Sequence, residues 1–315
     1  MTAPERQSLA PLPLDASADG VELIWDTRSH VAESPVWDGD RQAVLFSDLH
    51  AGRIFRYGVT DGSRKSWQLP AGIGSFGLCE SGRLVVALER RVVLFDTEDA
   101  SWEYLGDEID EPPANRFNDG KVGPDGAFWV GTRDGRRDAG AVPHGNGVLY
   151  RVTADGAIEP KASGYATPNG LAWTGNGRTM YHSDSHNGFV DAWNFDPAAG
   201  ELSGRRRVLE LTDADGRPDG AACDVEGGYW SAGVSAGCLN RFAPDGRLLT
   251  KIEMPFLKPS MLCFADGVIY VTAIASNKPP TDLRHRYNVS GLFRFSTTAV
   301  GVPVHRFADI SADRR

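Results

Sequence analysis

Residues 44–57 read VLFSDLHAGRIFRY, which is a short apolar strand, a polar turn and a second strand that ends in an aromatic residue. The same phrase returns five more times, at residues 84–96, 128–152, 180–193, 229–242 and 269–295. A short apolar segment precedes each copy, and the copies recur about every 40 to 50 residues. Repeats of this length with about four strands each are typical of a β-propeller. Six copies therefore predict an all-β, six-bladed β-propeller with four-stranded blades.

One further strand, VELIW at residues 21–25, precedes the first copy. We expect this strand to pair into the last blade and to close the ring, because closure removes a free strand edge. A seven-bladed ring would need a seventh copy, which the sequence lacks. We predict one propeller domain over residues 21–315, preceded by a flexible N-terminal tail over residues 1–20.

The composition limits the classes of function. The chain has 315 residues with 33 Lys and Arg against 42 Asp and Glu, a net charge of −9 at pH 7, whereas nucleic-acid binders usually present a basic face. No segment approaches the roughly 18 to 20 apolar residues of a membrane span, and the N-terminus lacks the apolar core of a secretory signal. We therefore expect a cytoplasmic protein, a monomer or small homo-oligomer, that binds neither nucleic acid nor membrane.

The first strand of each blade lines the central channel of a propeller, so residues at its mouth converge from all blades. In this register the sequence has Glu33, Ser75, Asn118, Asn169, Asp219 and Ser260, with Arg116 two residues before Asn118. Carboxylate and amide oxygens suit Ca²⁺, Mg²⁺ or Mn²⁺, and two buried carboxylates would repel each other without a cation. Each segment alone is also an ordinary turn sequence. Two carboxylates and two amides in one register, those of Glu33, Asp219, Asn118 and Asn169, favour a metal site.

The sequence also contains four distinctive segments: AESPVWD at residues 32–38, RFNDGKVGPDGAFWVGT at 116–132, TPNGLAW at 167–173 and RPDGAACDVEGGYW at 217–230. In kind and in order, they resemble the motifs of the gluconolactonase / regucalcin (senescence marker protein) / luciferin-regenerating enzyme family. The resemblance runs from about Val21 to the end of the chain.

This resemblance implies a six-bladed propeller that holds one divalent cation in its channel and hydrolyses sugar lactones to sugar acids. Carried over by motif, Glu33, Asn169 and Asp219 would be the metal ligands. Arg116 and Asn118 would bind the substrate beside the ion, whereas the residues alone leave Asn118 as a possible ligand. Ca²⁺ is the expected ion, with Mn²⁺, Mg²⁺, Zn²⁺ and Fe²⁺ as alternatives. Asp219 is the candidate catalytic residue, since its carboxylate can accept the proton of the attacking water.

The stretch after Thr132 departs from the family pattern, because relatives often have Met at the position of Arg133. Four basic residues in this stretch form a possible specificity loop: Arg133, Arg136, Arg137 and His144. We expect the loop to lie over the channel mouth and to favour an anionic sugar derivative. A solvated arginine-rich loop is the alternative.

These observations predict a divalent-metal-dependent lactonase of carbohydrate metabolism, a hydrolase whose substrate is the cyclic ester of a small sugar. Two alternatives stay open. One is an esterase or phosphotriesterase that uses the same metal, and the other is a non-catalytic calcium-binding regulatory propeller. The guanidinium of Arg116 favours catalysis, because a site that only binds an ion needs no cationic neighbour.

Overall fold

The structure is a computed structural model that describes residues 20–136, 140, 145–277 and 285–310. Its strands form six separate four-stranded antiparallel sheets, which confirms the predicted six-bladed β-propeller. These described ranges contain no α-helix, and within them no helix has the length and apolar character to cross a membrane.

The strands follow one another along the chain, and each of the first five blades is a continuous four-stranded meander. Blade 1 consists of β2 (Ala32–Asp38), β3 (Ala43–Asp48), β4 (Arg53–Gly58) and β5 (Arg64–Gln68). Blade 2 consists of β6 (Ile73–Leu78), β7 (Leu84–Leu88), β8 (Arg91–Phe95) and β9 (Trp102–Tyr104). Blade 3 consists of β10 (Asn115–Val122), β11 (Phe128–Asp134), β12 (Gly147–Val152) and β13 (Ile158–Tyr165).

The remaining blades complete the ring. Blade 4 consists of β14 (Pro168–Trp173), β15 (Thr179–Asp184), β16 (Phe189–Asp196) and β17 (Glu201–Glu210). Blade 5 consists of β18 (Pro218–Cys223), β19 (Tyr229–Gly233), β20 (Cys238–Phe242) and β21 (Leu248–Glu253). Blade 6 consists of β22 (Pro259–Ala265), β23 (Val268–Ala273), β24 (Gly291–Ser296) and the N-terminal strand β1 (Glu22–Asp26).

The pairing of β1 with β24 closes the ring. The two strands run antiparallel, with Leu23 opposite Phe293 and Asp26 opposite Gly291. The outer strand of blade 6 therefore comes from the beginning of the chain, as the sequence predicts. Residues 1–19 of the expected N-terminal tail lie outside the described residues.

Apolar side chains pack between neighbouring blades. Trp129 of blade 3 lies edge-on to Trp173 of blade 4, with ring centroids 6.2 Å apart, and both rings contact Phe195. Trp129 is fully buried. Aromatic side chains bury large areas and dominate such interfaces, so these contacts fix how each blade sits against the next.

Each inner strand is interrupted by a β-bulge near the channel mouth. The register shifts fall between Glu33 and Val36, Ile73 and Ser75, Phe117 and Gly120, Asn169 and Ala172, Pro218 and Ala221, and Pro259 and Met261. A bulge leaves one residue outside the ladder and re-aims the neighbouring side chains. Within the first of these shifts Ser34 has φ of 55°, and within the shift that follows Asn169 Gly170 has φ of 62°. The sequence analysis did not anticipate this repeated feature.

The segment 300–309 covers the end of the channel opposite this mouth. The backbone N–H of Val302 donates to the carbonyl of Cys223 at 2.9 Å, and that of Phe307 donates to the carbonyl of Leu78 at 2.8 Å. Phe307 is fully buried. The segment and the inner strands together line a cavity of about 80 Å³, so residues 302–305 lie against the end of the channel away from the mouth.

A buried histidine gives blade 4 a pH-dependent stability. His182 is 1% exposed, and its ring centroid lies 4.3 Å from that of Tyr165. Burial lowers the pKa of His182 from 6.5 to about 3, although the charges of Asp184 and Asp191 work in the opposite direction. The folded state therefore holds His182 neutral, whereas the unfolded chain protonates it below about pH 6.5.

As the pH falls from 7 to 4.5, we expect His182 to lower the free energy of unfolding by about 2–3 kcal/mol, because over this range only the unfolded state takes up the proton. Urea unfolding of His182→Phe at several pH values should show a shallower loss of stability on the acid side than the wild type. His186→Phe, which replaces an exposed histidine, is the control and should keep the wild-type slope. An unchanged slope in His182→Phe would contradict the prediction.

Candidate metal and substrate site at the channel mouth

Hydrogen bonds join three of the expected site residues across three consecutive blades. Asn118 on β10 donates from Nδ2 to Oδ1 of Asn169 on β14 at 2.8 Å. Asn169 donates from Nδ2 to Oδ1 of Asp219 on β18 at 2.7 Å. The partners are 51 and 50 residues apart in sequence, so only the propeller ring brings them together.

Glu33 on β2 faces the same space. Its side chain is buried and accepts a hydrogen bond from the backbone N–H of Ser34 at 3.2 Å. Burial, and then the negative charges of Asp219 and Asp119, raise the pKa of Glu33 well above its usual value. A positive charge that enters the space beside Glu33 would therefore stabilise its carboxylate form.

The donor atoms in this space fit one divalent cation. The carboxylates of Glu33 and Asp219 and the amide oxygen of Asn169 are the hard ligands that Ca²⁺ takes. Nowhere in the described residues do three His, Cys, Asp or Glu side chains group together for a metal, so the site depends on the amide oxygen of Asn169. That oxygen accepts one hydrogen bond from Asn118 and keeps a second lone pair.

Ser185, at the end of β15, fixes the orientation of Asn169. Its Oγ accepts a hydrogen bond from Nδ2 of Asn169 at 2.7 Å and donates to the carbonyl of Pro218 at 2.5 Å. Pro218 immediately precedes Asp219, so one buried hydroxyl connects Asn169 with the strand position next to Asp219, two of the three expected metal ligands. The sequence analysis did not single out Ser185.

Two buried aspartates hold the loops that enter the ligand-bearing strands. Asp184 accepts hydrogen bonds from the backbone N–H groups of Ala166 and Thr167 at 2.7 and 3.2 Å. Asp48 accepts in the same way from His30 and Val31 at 3.0 and 3.2 Å. The sequence does carry a signal for them, because Ser-Asp recurs at residues 47–48 and 183–184 in equivalent places of the repeat.

A pocket of about 200 Å³ opens beside Asn118. The polar side chains that line it are His50, Glu89, Arg116, Asn118 and Arg133. Arg133 donates from Nε to Oδ1 of Asn118 at 2.9 Å. Partial desolvation, and then the positive charges of Arg116 and Arg133, lower the pKa of His50. Two guanidinium groups and one carboxylate, that of Glu89, therefore face one small space, and the net positive charge suits a ligand with a negative charge.

The structure places Arg133 and Arg136 of the expected specificity loop in different surroundings. Arg133 lines the pocket, whereas Arg136 forms an ion pair with Asp134 at 2.6 Å and its side chain is 55% exposed. Arg136 therefore matches the alternative of a solvated arginine and lies outside the pocket lining. Arg137 and His144 lie outside the described residues.

Known proteins are similar to this chain in both sequence and fold. Residues 31–275 match the family model described as the SMP-30/Gluconolactonase/LRE-like region. A 6-deoxy-6-sulfogluconolactonase of Pseudomonas putida is 35% identical over 259 residues, which cover 81% of this chain and 87% of that protein. Regucalcin of Sus scrofa is 28% identical over 293 residues, covering 91% of this chain and 98% of that protein.

A solved luciferin-regenerating enzyme superposes with a TM-score of 0.77 and 27% sequence identity, covering 91% of this chain and 97% of that one. The family match spans more than half of the chain and includes every inner strand that carries an expected site residue. The chain therefore belongs to the SMP-30/gluconolactonase/LRE-like family.

Proposed function

We propose that this protein hydrolyses a sugar lactone to the sugar acid at the channel mouth, with one divalent cation held by Glu33, Asn169 and Asp219. The observation that supports this most directly is the position of Asn118, which contacts Asn169 on one side and Arg133 on the other. The candidate cation ligands and the pocket lined by Arg116 and Arg133 therefore meet at Asn118. A site that only binds an ion has no need of such a pocket.

Each protein group has a separate task in this proposal. When bound, the cation polarises the lactone carbonyl and lowers the pKa of a coordinated water. Arg116 donates to the lactone oxygen on which negative charge develops in the transition state. Asp219 accepts the proton of the attacking water. Asn118 orients the sugar hydroxyls, and its contacts with Asn169 and Arg133 hold its own side chain in place.

We further propose that the substrate carries an anionic group on the sugar. Arg116 and Arg133 line the pocket together with a single carboxylate, that of Glu89, so the charged side chains around it carry a net positive charge that favours an anionic group. The Pseudomonas putida relative is named for a lactone with a sulfo group at carbon 6. Sulfonate, phosphate and carboxylate groups all suit guanidinium donors.

The proposed activity is tested with protein stripped by EDTA and refilled with Ca²⁺, Mn²⁺, Mg²⁺, Zn²⁺ or Fe²⁺. Proton release is followed with a panel of neutral and anionic aldonolactones. We expect turnover to disappear on stripping, to return with at least one cation and to be highest on an anionic lactone. Cation binding without turnover of any lactone would contradict the proposal and favour the esterase, phosphotriesterase or regulatory alternatives.

The anionic substrate makes a specific prediction for Arg133→Met. A charge-assisted hydrogen bond contributes about 1.5–3 kcal/mol, so the ratio of kcat/KM for an anionic lactone to kcat/KM for its neutral analogue should fall about 10- to 100-fold. The lost contact with Asn118 would lower kcat/KM for both lactones alike, so its effect cancels in this ratio.

Arg136→Met is the matched control for this experiment. It removes the same charge from the same loop, but Arg136 pairs with Asp134 and does not line the pocket. We expect its substrate ratio to stay within about threefold of the wild type, since surface changes away from a site have small effects. An equal loss of activity on both lactones in Arg133→Met would show that Arg133 does not recognise the charge.

A further inference from the structure

Two more charged side chains lie in the channel below the mouth, Asp119 and Lys121, both on β10. Oδ2 of Asp119 accepts a hydrogen bond from the backbone N–H of Leu171 at 3.4 Å, and Nζ of Lys121 donates to the carbonyl of Ala221 at 2.6 Å. Leu171 and Ala221 each follow an expected cation ligand, Asn169 or Asp219, by two residues. Asp119 and Lys121 therefore occupy the layer of the channel directly below the candidate cation site.

Backbone N–H groups of Leu171, Gly120 and Gly170 stabilise the charge of Asp119 only in part. The side chain is 5% exposed, and its Oδ1 has no hydrogen-bond partner within the described residues. Burial raises the pKa of Asp119 and lowers that of Lys121, and the attraction between the two charges opposes both shifts. In a space with little water, such an attraction acts over longer distances than it does at the surface.

The charges in these two layers match a single divalent cation. When all four side chains are ionised, Glu33, Asp219 and Asp119 contribute three negative charges, and Lys121 contributes one positive charge. The remainder is −2, which one divalent cation neutralises. Without Lys121 the same channel would keep one uncompensated negative charge after the cation binds.

We propose that Lys121 is a fixed counter-ion of the inner channel, which compensates Asp119, limits the channel to one divalent cation and moderates the affinity for that cation. This inference rests on the cation site of the proposed function. A purely structural alternative exists, because the hydrogen bond from Lys121 to Ala221 also ties blade 3 to blade 5 across the channel.

Calcium binding to the EDTA-stripped full-length chain, measured by isothermal titration calorimetry, tests the proposal. Lys121→Met should bind Ca²⁺ about tenfold or more tightly, or bind a second Ca²⁺ per chain, because a repelling charge is gone. Asp119→Asn should bind about tenfold more weakly. The double variant restores the −2 balance and should return to within about threefold of the wild type.

Two further variants distinguish an effect of the Lys121 charge on cation binding from an effect on the structure. Lys121→Arg keeps the charge and a donor, and the adjoining cavity of about 80 Å³ gives the larger side chain room, so wild-type affinity and stoichiometry are expected. Lys65→Met removes an exposed lysine of blade 1 and should change neither quantity. If Lys121→Met does not fold, the weaker binding of Asp119→Asn still supports the proposal, and unchanged binding in that variant overturns it.

Thermal melting in EDTA tests the role of Lys121 independently of the proposed function. Without any cation, Lys121→Met should melt about 2–4 °C below the wild type, and the double variant should recover this loss. If wild-type protein binds no divalent cation, the proposed function fails, while the EDTA experiment still tests Lys121 as the partner of Asp119. A Lys121→Met variant that binds one Ca²⁺ with unchanged or lower affinity would overturn the counter-ion role.

Discussion

Asp219→Asn is expected to abolish cation binding and to lower kcat/KM for lactones by at least about 10³-fold, because it removes a charged ligand and the proposed base at once. The substitution preserves the size of the side chain and an oxygen that can accept the hydrogen bond from Asn169. The fold should therefore be retained. Calorimetry with Ca²⁺ and a proton-release assay on the same preparation measure the two effects separately.

Asp245→Asn is the matched control for this variant. Asp245 lies in a surface turn of blade 5 and accepts a hydrogen bond from the backbone of Arg247, so the same change of charge should leave both measurements unaltered. Retained cation affinity with lost turnover would leave Asp219 as a base and remove it from the ligand set. Retention of both properties would place the site elsewhere.

Arg116→Ala is expected to lose about 10²- to 10³-fold in kcat while Ca²⁺ affinity stays within about threefold, because the guanidinium acts on charge that develops in the transition state. Arg116 lines the pocket beside Asn118 rather than the space between the carboxylates. Turnover at saturating lactone and calorimetric Ca²⁺ titration are the two measurements.

Arg53→Ala, at an exposed position of blade 1, controls for the loss of one positive charge and should retain full turnover. If Arg116→Ala keeps normal turnover, Arg116 has no role in catalysis. If it also loses cation binding, Arg116 acts by shaping the cation site, and the separation between substrate and cation residues is wrong.

The two principal variants together distinguish the remaining functional alternatives. A lactonase loses turnover in both, but it loses the cation only in Asp219→Asn. A regulatory calcium-binding propeller would show the same loss of cation in Asp219→Asn and would have no turnover for Arg116 to affect. An esterase or phosphotriesterase would show the lactonase pattern on a different substrate class.

The sequence by itself determined the architecture. Six copies of one strand-turn-strand phrase predicted six blades, and the unpaired VELIW strand predicted the closure that the pairing of β1 with β24 confirms. These features are local, since each repeat contains its own strand alternation and turn residues. The repeat also gave the register of Glu33, Asn118, Asn169 and Asp219, because equivalent positions in a ring converge whatever their distance in sequence.

Only the tertiary structure decided how those residues are held and which neighbours act on them. The bulge in every inner strand, the hydroxyl of Ser185 between Asn169 and Pro218, and the separation of Arg133 from Arg136 all depend on contacts with other strands or on side-chain direction. The bond from Lys121 to Ala221 spans 100 residues. No local pattern encodes such contacts, because their geometry is set by the packing of blades against one another.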